Sequence, residues 1–231
     1  MNPTVKAARV AGALYLLLVV TGVFAAIYVP RTLFVPGNAT ATASNILAHE
    51  TLFRLGIVDG IISTVIFIFL VMALYHLLIG VDKKHASLMV ALVLVSVAVG
   101  LVDVVNNVAA LVLVRGADFL AVFDKPQREA LAMLLLGLDG QVLVNQVFWG
   151  LWLFPFGLLV MRSGFLPRIL GVWLIINGFA YLTISFTGLL LPQYQKMVSS
   201  IAFPALLGEV AIMLWLLIKG AKVQPLAAPA P

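Results

Sequence analysis

Six stretches of this chain stay apolar for about 20 residues or more, the length an α-helix needs to cross the hydrocarbon core of a bilayer. They cover 8–29, 53–79, 87–114, 128–161, 168–191 and 199–218. Backbone groups in lipid have no water to bond, so each such run must satisfy its own N–H and C=O groups, as a helix does. The predicted fold is all-α and integral to the membrane: a six-transmembrane-helix bundle with two longer extracytoplasmic loops. A single membrane domain is expected over 1–222, and a disordered cytoplasmic tail over 223–231.

Composition supports lipid as the solvent. Of 231 residues, 63% are hydrophobic and only 10% charged, with mean hydropathy +1.16; a soluble domain carries about 25% charged residues. The net charge of +5 is spread over short loops and forms no dense basic patch, which argues against a nucleic-acid partner. With no cysteine there is no disulfide, thiolate metal site or cysteine nucleophile. The histidines His49, His76 and His85 are too scattered for a three-histidine zinc site or a bis-histidine haem. There is no Walker loop, no GxSxG and no dinucleotide fingerprint. The GxGD pattern of intramembrane aspartyl proteases is also missing, since 137–140 reads GLDG. No metal site and no cofactor are implied.

Basic residues set the orientation. Lys6, Arg9, Lys83, Lys84, Arg162, Arg168, Lys219 and Lys222 crowd one side in short loops, whereas Arg31, Arg54, Arg115, Lys125, Arg128 and Lys196 are spread over longer loops on the other. The first side is read as cytoplasmic, which puts both termini inside. The first span is read as an uncleaved helix. Nothing charged lies between Arg9 and Arg31, and a signal peptide's apolar region is only about 7–15 residues long. In the first outer loop, Pro36-Gly37 signals a turn and 39–49 a short helix capped by Asn38 or Thr40. The second, 116–126, alternates apolar and acidic residues as an interfacial segment does. The fourth apolar stretch exceeds one crossing, so its first turns, N-capped by Asp124, should project from the bilayer.

Four acids interrupt the apolar runs: Asp59, Asp103, Asp139 and Glu209. A charge in hydrocarbon costs at least a few kcal/mol unless paired, hydrated or neutralised, so an intramembrane acid marks a functional site by default. Asn106, Asn107, Gln141, Asn145 and Gln146 fall at similar depth, and Arg54 lies about one turn outside Asp59. Asp103 and Asn107 are four apart and share a helix face. Together with Asn177, these residues are the candidate lining of one outward-facing polar cavity. The structural alternative makes Arg54 the partner of Asp59 or another outer acid, and Asp103 with its asparagines interhelical glue. Glu209 resists that alternative most. It is mid-span with no base in its own helix nearer than Lys219, behind a Pro204 and Gly208 that can kink or thin the helix. It is expected to face the interior and touch polar groups of at least two other helices.

Several motifs resemble those of one bacterial family of uncharacterised membrane proteins, domain of unknown function 4386: RSGFLPRILG at 162–171, ATASNIL at 41–47, LFRLG at 52–56 and PALLGE at 204–209. The resemblance implies a six-helix inner-membrane protein and supplies no activity. On the residues themselves, the leading expectation is a small-molecule or ion binding or transport protein. Against it stand an accessory subunit whose acids pair with a protein partner's or second copy's bases, and an intramembrane enzyme acting on a lipid-borne substrate. Membrane lipids are expected partners in every case.

Overall fold

The computed structural model describes residues 3–137 and 139–221, without the side chains of Pro3, Asp139, Gly140 and Gln141. The tail expected over 223–231 lies outside them. Among the described residues the chain forms nine α-helices and no strand: α1 (Pro3–Val23), α2 (Val29–Leu33), α3 (Ala39–Ala48), α4 (Glu50–Leu78), α5 (Lys83–Arg115), α6 (Lys125–Leu136), α7 (Asp139–Arg162), α8 (Arg168–Leu190) and α9 (Gln195–Ile218). Six helical segments are long and apolar enough to cross a membrane: Thr4–Leu33, Glu50–Leu78, Lys83–Arg115, Val142–Arg162, Arg168–Leu190 and Pro192–Ile218. The fold is therefore all-α, with six spanning helices.

Two boundaries differ from the sequence reading. Pro30 was expected to close the first span, yet the helix runs on to Leu33. Proline has no N–H to give a carbonyl one turn back. The chain absorbs the defect in a π-turn at Phe24–Tyr28, where Val29 N–H bonds to Phe24 O, and continues as α2. The fourth stretch is two helices rather than one. α6 ends on Gly137, where a Cβ would fall 2.8 Å from Met133 O, and α7 begins at Asp139. The separate α6 takes the place of the projecting turns, with Asp124 as N-cap and Gln127 closing a capping box. Asn38 caps α3, accepting from Ala41 N at 2.9 Å.

The chain packs as two compact units, Met1–Leu16 with Phe67–Ser96 and Gln146–Pro231, and Leu17–Ile66 with Val97–Asn145. In the first, α7 and α8 meet along a glycine seam. A Cβ on Gly150 would lie 2.7 Å from Gly178 O, and one on Gly157 would lie 2.7 Å from Gly171 O. The pairs run in opposite senses along the chain, so the helices are antiparallel with backbones nearly touching. Lipid tails are as apolar as leucine, so close backbone approach of this kind drives helix association in membranes. The linker between the two helices is built from the family-like motif. Gly164 takes φ +72°, Ser163 Oγ donates to Val160 O and accepts from Leu166 N, and Phe165 and Leu166 are buried.

In the second unit, Val29, Leu33, Ile46, Phe53 and Leu111 form a core. α3 and α6 pack together beside it. Their link is polar: the Thr40 hydroxyl donates to Glu129 Oε2 at 2.7 Å, with Lys125 3.8 Å from the same carboxylate's other oxygen. Glu129 is buried, so this is a specific tie rather than a surface pair.

Candidate functional site

Glu209 sits nine residues before the end of α9, about 14 Å in at about 1.5 Å per residue. That places it well inside a hydrocarbon core about 30 Å thick. Its neighbour Gly208 lets α9 approach α8 closely: a Cβ there would be 3.0 Å from Trp173 Cδ1. Trp173, Asn177 and Tyr181 recur every four residues, so they share one face of α8.

Side chains from two other helices hold the carboxylate. Tyr15 of α1 donates its hydroxyl to Glu209 Oε1 at 2.5 Å. Asn177 Nδ2 reaches Oε2 at 3.5 Å and also donates to Leu206 O at 3.3 Å. Tyr181, one turn beyond Asn177 on the same face of α8, acts electrostatically on the same carboxylate. Each tyrosine is backed by a tryptophan of α7. Trp152 lies 6.3 Å from Tyr15 between ring centres, and Trp149 meets Tyr181 edge-on at 5.9 Å. Trp152 is itself buried between Phe67 and Phe156. Glu209 is half-buried, Tyr15 and Asn177 are buried, and Asn177 Oδ1 has no hydrogen-bond partner among the described residues. Gln146, in the same unit, likewise keeps a buried Oε1 without one.

The remaining predicted residues belong to the second unit. Gly60 and Gly100 set the α4–α5 approach. A Cβ on Gly60 would lie 3.1 Å from Val104 Cγ2, and one on Gly100 would be 4.0 Å from Thr64 Oγ1 and 3.8 Å from Asn145 Nδ2. This antiparallel register puts Asp59 and Asp103 at the same level. Asp59 Oδ2 and Ser63 Oγ, one turn apart on α4, are both buried without hydrogen-bond partners among the described residues. Asp103 is exposed on α5 and accepts from Asn107 Nδ2 at 3.3 Å, the nitrogen also bonding Asp103 O at 2.9 Å. Asn106 and Asn145 are half-buried. Arg54 takes Glu50, four residues earlier, at 2.7 Å instead of Asp59, and Arg115 lies 3.7 Å from the same carboxylate. The side chains of Asp139 and Gln141 lie outside the described residues.

The structure thus joins Glu209 with Asn177, and Asp103 with Asn107. Sequence reading missed Tyr15 and Tyr181. The signal for Tyr181 was its place one turn beyond Asn177; Tyr15 carried none beyond a polar tip inside an apolar run. An open groove of about 660 Å³ lined by Gln195, Lys196, Ser199, Ser200 and Phe203 occupies the start of α9. Its lining stops six residues short of Glu209.

No curated protein and no solved structure matches the chain. The family model for a domain of unknown function, DUF4386, matches residues 10–220, nearly the whole chain, and the protein belongs to that family.

Proposed function

We propose that this chain is a multi-pass protein of a bacterial inner membrane, both termini cytoplasmic and residues 1–222 one membrane domain, that binds and moves a small molecule or ion through Glu209. The observation that carries this reading is a mid-membrane carboxylate held by Tyr15, Asn177 and Tyr181, none of them cationic. Donors orient a carboxylate without cancelling its charge, and a structural acid in hydrocarbon would be expected to have a base. Within the second unit, Asp59, Asp103, Asn106, Asn107, Asp139, Gln141 and Asn145 are proposed as further polar lining, with Arg54 at its outer end, and Gln146 as further lining in the unit of Glu209. The test is a thermal-stability screen of purified wild type and Glu209→Gln against inorganic ions, amino acids, sugars and organic amines. A compound that stabilises wild type and not the variant supports the reading. Equal effects on both, or none on either, would defeat it.

A second reading rests on Asp103. It is exposed on α5, where an uncovered acid in an apolar membrane carries a high cost. A base from a partner subunit or second copy would meet it there, making the protein an accessory subunit. Cross-linking from Asp103→Cys inside native membranes distinguishes that case.

A further inference from the structure

Resting on the reading of Glu209 as a binding group, the site's chemistry also names a ligand class. Two demands are left open there. The first is charge. The carboxylate's hydrogen-bond partners among the described residues, Tyr15 and Asn177, are neutral donors, and Tyr181, which acts on it electrostatically, is neutral too. A carboxylate has about four lone-pair positions, of which the bonds from Tyr15 and Asn177 fill two. The second is an acceptor. Asn177 Nδ2 faces two acceptors, Leu206 O and Glu209 Oε2. The amide is therefore fixed in this orientation, because a carbonyl oxygen in the same place would meet two other oxygens. Its Oδ1, in a fully buried residue, is left without a donor. A buried acceptor in this state calls for water, a ligand donor or a cation.

One occupant answers both demands at once. We propose that Glu209 and Asn177 Oδ1, with the phenolic oxygens of Tyr15 and Tyr181 beside them, form a site for a monovalent alkali cation. Carboxylate, amide carbonyl and hydroxyl make an all-oxygen set, which suits hard cations over transition metals. One carboxylate neutralises one positive charge, so a divalent ion would leave an excess charge in a medium that penalises it. Among the described residues no group of three or more His, Asp or Glu side chains is placed to hold a metal, so that excess has no further acid to meet it. The surroundings favour a small ion. Gly208 is pressed against Trp173, and Trp149 and Trp152 stand behind the tyrosines.

The aromatic backing also supplies a reporter. Full-length protein in detergent is compared in NaCl, LiCl, KCl and N-methylglucamine chloride at equal ionic strength and mildly alkaline pH, reading unfolding temperature and tryptophan emission. The expected result is saturable stabilisation and an emission change with one alkali ion over N-methylglucamine. Asn177→Ala should raise the midpoint concentration at least tenfold, and Glu209→Gln should abolish the effect. Identical wild-type behaviour in all four salts overturns the proposal without requiring any variant to fold. So does stabilisation that follows pH alone, which would make the occupant a proton. If the wider screen finds a Glu209-dependent organic ligand while the salts are equivalent, the cation is wrong and the binding role stands; if neither responds, both fall.

Discussion

The Tyr15 hydroxyl donates to Glu209 Oε1 at 2.5 Å, joining the first spanning helix to the last across 194 residues of sequence. Tyr15 is 2% exposed, so its phenol has traded water for this one carboxylate. The bond closes a ring of helices around Glu209: α1 through Tyr15, α8 through Asn177 and Tyr181, and α7 through the tryptophans behind both tyrosines.

That bond should be measurable as a coupling. Tyr15→Phe keeps the ring against Trp152 and deletes only the hydroxyl, and Glu209→Leu removes the acceptor. A double-mutant cycle on denaturant unfolding in detergent isolates the pair. Membrane hydrogen bonds average about 0.6 kcal/mol in such cycles and reach about 1.7. The short charge-assisted contact should fall in the upper half of that range. A coupling indistinguishable from zero would mean the contact does not exist in the folded protein.

Much of the fold was legible because a membrane leaves a chain few options. Apolar run length gave six spans, and the Asp124 and Asn38 caps were readable from local chemistry alone. The failures came where local defects meet tertiary packing. Pro30 reads as a stop, but a π-turn carries the helix past it. The fourth apolar stretch runs through Gly137 as one pattern, yet α6 ends there. Glu209 and Asn177, which the structure brings into contact, stood out because charge and amide are conspicuous in lipid. Tyr15 was not, because an aromatic ring is at home there and only its partner reveals the hydroxyl's purpose. Glu129, near an expected helix start, gave no sign of the Thr40 contact that buries it.

Asp82 is a pH-dependent tie between two segments of the first unit. Its Oδ1 accepts from the backbone N–H groups of Lys84 and His85, capping α5, and its Oδ2 takes His85 Nδ1 at 2.8 Å and Arg162 at 3.3 Å. The hydrogen bonds from His85, backbone first, hold the Asp82 carboxyl below its ordinary range. A carboxyl lowered by folding contributes stability above its unfolded pKa, and that contribution fades as pH falls through the folded value. The loss should therefore begin below about pH 4, near the unperturbed aspartate value. Asp82→Asn should flatten the stability profile in that acid window. A variant that parallels wild type there would show that the carboxylate is not what caps α5.

Orientation is testable independently of any ligand. The basic residues Lys83, Lys84, Arg162 and Arg168 flank two short connections, α4–α5 and α7–α8. The positive-inside rule assigns both to the cytoplasm. An alkaline phosphatase fusion after Ala86 or Gly164 should be inactive, and one after Gly116 active. The opposite pattern would invert the topology and place Glu209 nearer the outer surface than the inner one.

The glycine seam between α7 and α8 gives the most direct test of packing. Gly157→Ala would drive a Cβ to 2.7 Å from Gly171 O and 2.8 Å from Ile175 Cγ1. Backbone cannot yield as a flexible side chain does, so the helices must separate. Overpacking of this kind costs typically about 1–3 kcal/mol. Gly22 of α1 is the control, with nothing within 4 Å of a Cβ built there. At that position alanine should gain up to about 1 kcal/mol from helix propensity alone. Thermal or denaturant unfolding of the two variants side by side should move in opposite directions. The seam also aligns the α7 tryptophans with α8, and Trp149 contacts Tyr181. Gly157→Ala should therefore weaken ligand-dependent stabilisation at Glu209, while Gly22→Ala should not. If both glycines tolerate alanine equally, α7 and α8 do not pack backbone to backbone, and the support for Tyr181 at the carboxylate goes with them.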